Sequence, residues 1–196
     1  MKTTLLFLLA GILGLSACEK EASVAPNEDI TALQEKFHGK YKPVYSTSSL
    51  ALDVNRDGVA STDMLAEISD LSQTWVEVRI YEKNQHSPAP SFLFLHQWPK
   101  QELLPVEPTT NNPFIRLSYA TKVVVWPFSL DKSLAQLLLE PNKSYLADPD
   151  VFSPLETVLV KENEQIEVTL TKRLYTTEGW KTVKIVTLYK RFTRFT

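Results

Sequence analysis

The stretch that decides the fold is residues 165–191, QIEVTLTKRLYTTEGWKTVKIVTLYKR. Its first half alternates between apolar and polar residues, and the apolar positions are Ile166, Val168, Leu170 and Leu174. A period of two is typical of a β-strand that buries one face. A turn at residues 176–179 leads into a second alternating run, so the stretch predicts a long antiparallel hairpin.

Each strand of this hairpin runs for about a dozen residues, which is longer than the usual ~5–6. Strands of that length suit a strongly tilted barrel or a large sandwich. Shorter alternating runs precede the hairpin, at residues 75–81, 92–95, 115–117 and 123–128. Counting these runs predicts an all-β fold, an antiparallel barrel of about eight strands, with a β-sandwich as the alternative.

Three segments have helical spacing. Residues 29–37 start with Asp29, a favourable N-cap, and predict a short N-terminal helix that covers the domain. Helical spacing also begins at Leu65, which predicts a loop–helix insertion after the first strand. Residues 131–140 favour a third short helix, and a buried strand is the alternative there.

The first eighteen residues have the features of an export signal. Lys2 supplies a positive charge, residues 5–15 form an apolar run, and the chain's single cysteine, Cys18, follows small residues. A membrane-spanning helix needs about 20 apolar residues, so this run has the proportions of a secretory signal instead. The segment resembles a bacterial lipobox, which implies removal of residues 1–17 and acylation of Cys18. A standard cleavage site with a chance cysteine is the alternative.

This signal predicts a lipid-anchored protein of the cell envelope, since two or three acyl chains give stable membrane attachment where one does not. Residues 18–28 are polar and aperiodic and predict a flexible tether. Residues 29–196 are then a single domain. We expect the anchor to lie in the outer membrane of a Gram-negative bacterium, with the domain facing the periplasm or the cell surface.

Composition excludes several classes of protein. The 196 residues are 43% hydrophobic and 22% charged, as in an ordinary globular protein. A single cysteine excludes an intramolecular disulfide and any CxxC site. The net charge of −2 gives no reason to expect nucleic acid as a partner. The sequence contains no GxSxG, HExxH, Walker or GxGxxG motif, so we expect a protein that is not an enzyme.

The segment Asp53-Val54-Asn55-Arg56-Asp57-Gly58 is the sharpest motif after the signal. Oxygen-bearing side chains at every second position can converge on one hard cation, and glycine at the sixth position allows the sharp turn between them. The segment resembles a DxNxDG calcium loop. The predicted ligands are Asp53, Asn55, Asp57 and the Val59 carbonyl, with Ser61 directly or through water, and Asp63 or Glu67 to close the shell.

This loop departs from a complete EF-hand, because Met64 stands where an EF-hand has its bidentate glutamate. We expect a structural calcium ion that holds the loop beside the barrel mouth. The alternative is a metal-free turn, since Asp, Asn and Gly favour turns in any case.

Histidine and aromatic residues are the remaining candidates. His96 alternates with Phe92 and Phe94, so we expect it to face the interior as a core histidine rather than as a ligand or base. The aromatic residues on the strands are expected to be mostly core. A subset that lined a lumen would bind a small apolar ligand.

The layout of the chain resembles lipocalin-like bacterial lipoproteins. The matching features are Gly39-Lys40-Tyr41 on the first strand, the loop and helix at residues 53–67, and a closing hairpin that ends in Tyr189-Lys190-Arg191. Lipocalins carry Gly-x-Trp on the first strand, against which an arginine of the last strand packs. Tyr41 stands at the tryptophan position, and the resemblance implies Arg191 as its barrel-closing partner. It also implies a cup-shaped, calycin-type barrel, with no ligand assigned.

Two functions remain open from the sequence. The first is a lipid-anchored binding module that holds a small apolar ligand or docks a partner at its calcium-held mouth. The alternative is a structural or envelope-interaction lipoprotein whose barrel is filled by side chains. A lumen in the usual ligand range of about 300–1,000 Å³ favours the first, and a filled interior favours the second.

Overall fold

The computed structural model describes residues 29–105, 115–140 and 154–194. The predicted signal segment, Cys18 and the predicted tether lie outside the described residues. In chain order the elements are α1 (Ile30–Phe37), β1 (Gly39–Leu52), β2 (Ser61–Asp63), α2 (Met64–Glu67), a 3₁₀ helix (Ser69–Gln73), β3 (Val76–Tyr81), β4 (Ser91–Pro105), β5 (Ile115–Leu130), β6 (Leu137–Leu139), β7 (Leu155–Lys161), β8 (Gln165–Thr176) and β9 (Gly179–Thr193). None of the described helices combines the length and apolar character needed to cross a membrane.

Eight strands of the described residues form a nearly closed antiparallel barrel. Neighbouring strands follow the order β6-β5-β4-β3-β1-β9-β8-β7, and β2 pairs with β1 outside this path. The two edge strands meet where the Val160 amide donates to the Ala135 carbonyl at 2.7 Å and Gln136 bridges to Leu159. The predicted all-β barrel is therefore confirmed.

β8 and β9 form the predicted long hairpin. Their register runs from Gln165 opposite Lys190 to Thr176 opposite Gly179. The inward positions of β8 are all buried, and they are Ile166, Val168, Leu170, Lys172, Leu174 and Thr176. Burial of each large aliphatic side chain contributes about 1.5–3 kcal/mol, which fixes the register of the hairpin against slippage.

α1 covers one end of the barrel, called here the helix end. The Asp29 carboxylate accepts from the Thr31 amide at 3.0 Å and caps the helix, as its position in the sequence predicts. Leu33 and Phe37 are buried, so the amphipathic face points at the barrel. The Gln34 side-chain amide donates to the Ile80 carbonyl at 3.0 Å and fixes α1 to β3.

The opposite end, called here the loop end, is where β8 turns into β9 and where β1 runs into the Asp53 loop. The Thr177 amide donates to the Asp53 carbonyl at 3.3 Å, so these two connections are in contact. The loop–helix insertion is present as α2 and the 3₁₀ helix, which both pack against β1. Met64, Ile68 and Leu71 of this insertion are fully buried.

Residues 131–140 do not form the helix that their spacing favours; the alternative, a strand, is what the structure contains. β6 pairs with the end of β5 over Leu137–Leu139. The Asp131 carboxylate accepts from backbone amides across a tight turn, those of Ser133, Ala135 and Gln136. Leu134 within this turn has φ of +55°, which a right-handed helix does not allow.

Candidate functional site

The candidate calcium loop folds into consecutive side-chain-to-backbone turns. Asp53 Oδ2 accepts from the Gly58 amide at 3.3 Å, and Asn55 Oδ1 accepts from the Asp57 amide at 3.0 Å. Asp57 Oδ1 accepts from the Val59 amide at 2.8 Å, and Asn55 Nδ2 donates to Asp57 Oδ2 at 3.0 Å. Gly58 has φ of +89°, where glycine carries no steric cost. The three predicted side-chain ligands therefore lie within one compact loop.

The structure distinguishes the two carboxylates proposed to close the calcium shell. Glu67 is 2% exposed, and its Oε2 accepts from the amides of Val54 and Asn55 at 2.7 and 3.3 Å. Asp63 is exposed, and its Oδ1 accepts from the Leu65 amide at 2.9 Å as the N-cap of α2. Glu67 is thus in contact with the loop, whereas Asp63 is engaged with its own helix.

Two further predicted ligands, Val59 and Ser61, follow the Gly58 turn. Val59 is 66% exposed, and Ser61 Oγ accepts from the Asp63 amide at 3.0 Å. Within the described residues, no group of three or more His, Cys, Asp or Glu side chains is arranged to hold a metal. One feature of the loop is unsatisfied in that same part of the chain: Asp53 Oδ1 is buried and accepts no hydrogen bond.

The residues implied to close the barrel meet at the helix end. Tyr41 and Arg191 are opposite each other in the β1–β9 register, and the guanidinium carbon lies 6.0 Å from the ring centroid of Tyr41. The Tyr41 hydroxyl donates to the Phe37 carbonyl at 2.6 Å. Burial raises the pKa of Tyr41 to about 12, so this hydroxyl remains a donor at neutral pH.

Arg191 joins several elements at this end. Its Nη1 donates to the carbonyls of Glu35 and His38 at 3.0 and 3.3 Å, and its Nη2 forms an ion pair with Glu164 in the β7–β8 turn. Hydrogen bonds from Arg191 and Arg194 lower the pKa of the Glu164 carboxyl. Arg191 therefore holds α1, β9 and the β7–β8 turn together, which is a structural task.

The barrel interior around β4 is filled by side chains. His96 is 6% exposed, which confirms that it faces the interior. Burial, and then the positive charge of Lys172, lower the pKa of His96 to about 3, so its imidazole is neutral at physiological pH. The cavity that His96 lines with Trp98 and Lys172 has a volume of about 10 Å³. This part of the lumen does not have the volume for an organic ligand.

A larger space lies at the loop end, between β4 and β8, which are not neighbours in the sheet. This cleft has a volume of about 290 Å³. Its lining combines apolar and charged side chains, from Lys100, Gln101, Glu102 and Leu103 on β4, Lys172, Arg173 and Leu174 on β8, and Trp180 on β9. The Arg173 guanidinium carbon lies 4.5 Å from the Trp180 ring centroid, so an aromatic face and a cation are stacked at the cleft.

Gln101 holds the two walls of the cleft together. Its Nε2 donates to the Tyr175 carbonyl at 3.1 Å, and its Oε1 accepts from the Tyr175 amide at 2.7 Å. Among the described residues, β7 pairs with β8 only as far as Leu170, so Gln101 satisfies backbone groups of Tyr175 that the described part of β7 does not reach. The pair of bonds fixes the distance between β4 and β8.

Tyr175 also connects the cleft with the candidate calcium loop. The guanidinium carbon of Arg56 lies 6.0 Å from the Tyr175 ring centroid, and the Trp180 ring lies 5.3 Å from it in an edge-to-face arrangement. The loop and the cleft therefore share the loop end of the barrel and contact the same side chain.

Sequence reasoning does not single out the cleft, although one signal for it is present. Lys172 occupies an inward position in the alternating row of β8, between Leu170 and Leu174, and is 4% exposed. A charged residue in an apolar row indicates a polar feature inside the barrel. No sequence signal shows that Gln101 and Trp180 lie on the same cleft, because they belong to strands that are far apart in the chain.

Comparisons of the chain with protein-family models, with curated proteins and with solved structures found no match.

Proposed function

We propose that this protein is a lipid-anchored binding module of the bacterial cell envelope that takes a small amphipathic ligand in the cleft at the loop end of its barrel. The observation that carries the proposal is the 290 Å³ cleft between β4 and β8. That volume is close to the lower end of the usual range for ligand sites, about 300 Å³. We propose no catalytic activity for this cleft.

The lining of the cleft supports a ligand with an apolar body and an acidic group. Leu103, Leu174 and Trp180 supply apolar surface. Trp180 is 41% exposed, which leaves part of its ring accessible to a ligand. The lining contains one carboxylate, that of Glu102, and three cations, which are Lys100, Lys172 and Arg173. A carboxylate, sulfonate or phosphate at the head of the ligand would meet this positive field in a partly dehydrated site.

A co-purifying ligand tests this proposal. The protein, extracted from its own membrane in mild detergent, is examined by native mass spectrometry. We expect one acidic amphiphile bound per chain, because the cleft offers a single set of cations beside its apolar wall. Trp180→Ala should lose the bound species, since it removes the aromatic wall.

Phe192→Ala is the matched control for this experiment. Phe192 is 47% exposed on the same strand, β9, but lies near the helix end, where the Lys42 ammonium is 5.2 Å from its ring centroid. We expect the Phe192→Ala protein to keep the ligand. A bare wild-type chain, or equal loss from both variants, would count against the cleft.

The alternative function, a structural or envelope-interaction lipoprotein, is favoured by a different observation. The space lined by His96, Trp98 and Lys172 measures only about 10 Å³, as in a barrel whose core is filled by side chains. A protein of this type would work through its outer surface. A bare chain in native mass spectra, with the envelope anchor intact, would favour this function over the first.

We also propose that the Asp53–Glu67 loop closes around a structural calcium ion through Asp53, Asn55, Asp57 and Glu67, which requires these side chains to shift, because no three carboxylates of the described residues already surround one point. The buried Asp53 Oδ1, without a hydrogen bond from the described residues, supports this proposal. A buried charged oxygen without a partner is costly, and a hard cation supplies the missing interaction. Because the loop contacts Tyr175 through Arg56, a bound ion would hold one side of the cleft in place.

Calcium should therefore raise the thermal stability of the protein. At a calcium concentration about 100-fold above Kd the gain is about 2.7 kcal/mol, which corresponds to several degrees in Tm for a chain of this length. The measurement is a thermal melt in calcium and in EGTA. The calcium-dependent difference should vanish in Asp53→Asn and Asp57→Asn, and should persist in the control Asp70→Asn, which changes an exposed carboxylate of the 3₁₀ helix. A wild-type melt that is identical in calcium and EGTA would identify the loop as a metal-free turn.

A further inference from the structure

Two lysines lie opposite each other on the outer surface of the barrel. Lys42 of β1 and Lys190 of β9 are partners in the β1–β9 register, and both side chains are exposed. Like charges directly opposite each other in an antiparallel pair are destabilising. Neither lysine forms an ion pair with a carboxylate of the described residues, and the carboxylate of Glu164 beside β9 is paired with Arg191 and Arg194 instead. The two ammonium groups therefore make a small positive area that carries a cost.

Exposed apolar side chains flank this positive area. Phe192 on β9 is 47% exposed, and the Lys42 ammonium lies 5.2 Å from its ring centroid. Val44 and Tyr45 are 48% and 56% exposed on β1, where the register with β9 shifts. Aromatic rings beside lysines suit the interface of a bilayer, because rings sit at the level of the headgroups and lysines are attracted to anionic lipid. The β1–β9 surface is defined here as Lys42, Val44, Tyr45, Lys190 and Phe192.

The β1–β9 surface is also connected closely to the predicted anchor. The predicted tether joins the described domain at Asp29, and α1 leads directly from there into β1. The eleven residues 18–28 can span at most about 40 Å. A barrel held within that distance meets the bilayer at a high effective concentration, so a weak contact is sufficient to orient it.

We propose that the β1–β9 surface docks the anchored barrel on a bilayer that contains anionic phospholipid. This rests on the lipid anchor proposed above and adds the orientation of the barrel on the membrane. Negative headgroups neutralise the opposed ammonium groups of Lys42 and Lys190, and each lysine strengthens docking about fivefold. β5 and β6 lie across the barrel from β1 and β9 in the strand order, so they face away from the membrane in this orientation.

A fluorescent label on each wall of the barrel tests this orientation. Cys18 is the only cysteine of the chain and is acylated in the anchored form, so Val44→Cys and Val123→Cys each introduce one labelling site. The two valines are matched, because they are 48% and 45% exposed, on β1 and on β5. The full lipidated chain, labelled with nitrobenzoxadiazole, is reconstituted in vesicles that contain a phosphatidylcholine with a nitroxide quencher on its headgroup. When phosphatidylglycerol is also present, we expect strong quenching at position 44 and weak quenching at position 123. In phosphatidylcholine alone, quenching at position 44 should fall towards that at position 123.

Removal of the two charges gives the second arm of the test. Lys42→Gln combined with Lys190→Gln should weaken docking about 25-fold and return quenching at position 44 to its level in phosphatidylcholine. The control is Lys122→Gln combined with Lys132→Gln, which removes the same charge from exposed positions on β5 and in the turn that follows it. This control should quench like the wild-type background.

Flotation of the same samples with the vesicles measures the anchor separately. Protein that floats but shows equal quenching at positions 44 and 123, or quenching at position 44 that does not depend on phosphatidylglycerol or on the two lysines, would overturn the docking proposal and leave the anchor in place. Protein that does not float would contradict both. A concentration-dependent change in the fluorescence at position 44 in detergent, without vesicles, would identify a second copy of the chain as the occupant of this surface and would also overturn the proposal.

Discussion

Replacing Gly39 by alanine should lower the free energy of unfolding by about 3–5 kcal/mol, among the largest effects of any single substitution. Gly39 opens β1 with φ of +150°, and a Cβ added there would lie 2.3 Å from the Thr193 carbonyl oxygen and 3.0 Å from Arg191 Cδ. This carbonyl is part of the β9 backbone, so it cannot move aside without separating β9 from β1. Urea unfolding followed by tryptophan fluorescence measures the loss.

Gly179→Ala provides the matched control for this substitution. Gly179 has φ of +91°, and an added Cβ would meet nothing within 4 Å. This variant therefore isolates backbone strain, and we expect it to cost about 1–2 kcal/mol. Equal losses of unfolding free energy in the two variants would show that backbone strain alone explains the effect at Gly39. The close approach of β1 and β9 at the helix end would then contribute nothing.

Replacing Cys18 by serine should release the protein from the membrane. Two or three acyl chains hold a protein stably at a bilayer, and serine cannot carry the thioether through which the predicted lipid is attached. We expect nearly all of the wild-type protein in the membrane fraction and nearly all of the Cys18→Ser protein in the soluble fraction. Immunoblots of separated envelope fractions measure the distribution.

Ser23→Ala is the control for the anchor, because it changes the predicted tether without touching the predicted lipidation site. It should remain with the membrane. Continued membrane retention of Cys18→Ser would mean that Cys18 is not the anchor. It would also contradict the proposal that the protein is attached to the cell envelope by lipid.

The terminal hairpin can be predicted from the sequence because two physical signals agree there. The period-two burial of Ile166, Val168 and Leu170 specifies strands, and the Gly179 turn specifies their antiparallel pairing. α1 is predictable for a similar reason, since Asp29 provides a cap and Phe37 completes an apolar face. Local chemistry and burial point to the same structure in both segments.

β6 cannot be read from local spacing. Its three leucines fit a helix as well as a strand, and the decision depends on pairing with β5 and on the Asp131 turn, which holds Leu134 at positive φ. Tertiary pairing overrides a weak local preference here. A short apolar run carries too few positions to distinguish the two periods.

For the functional sites as well, one part can be predicted from the sequence and the other cannot. The spacing of Asp53, Asn55 and Asp57 locates the loop in the sequence, because all three act within a few residues. The contact of Glu67 with the loop depends on how α2 folds back. The cleft depends on β4 and β8, which the barrel brings together across a separation of about 70 residues, as in the Gln101–Tyr175 pair. The periodicity of a short sequence window carries no information about contacts between residues so far apart in the chain.

Covalent mapping of a bound probe shows whether the cleft at the loop end binds an acidic amphiphile. The probe is a fatty acid that carries a photoreactive diazirine in its chain. After irradiation, labelled peptides are identified by mass spectrometry, with excess unlabelled fatty acid as competitor. We expect labelling of residues 100–103, residues 172–174 and Trp180 that the competitor reduces, and we expect this labelling to be about tenfold weaker in Trp180→Ala. Labelling that the competitor does not reduce, or that falls on exposed apolar residues such as Tyr45 instead of the cleft, would contradict binding in the cleft.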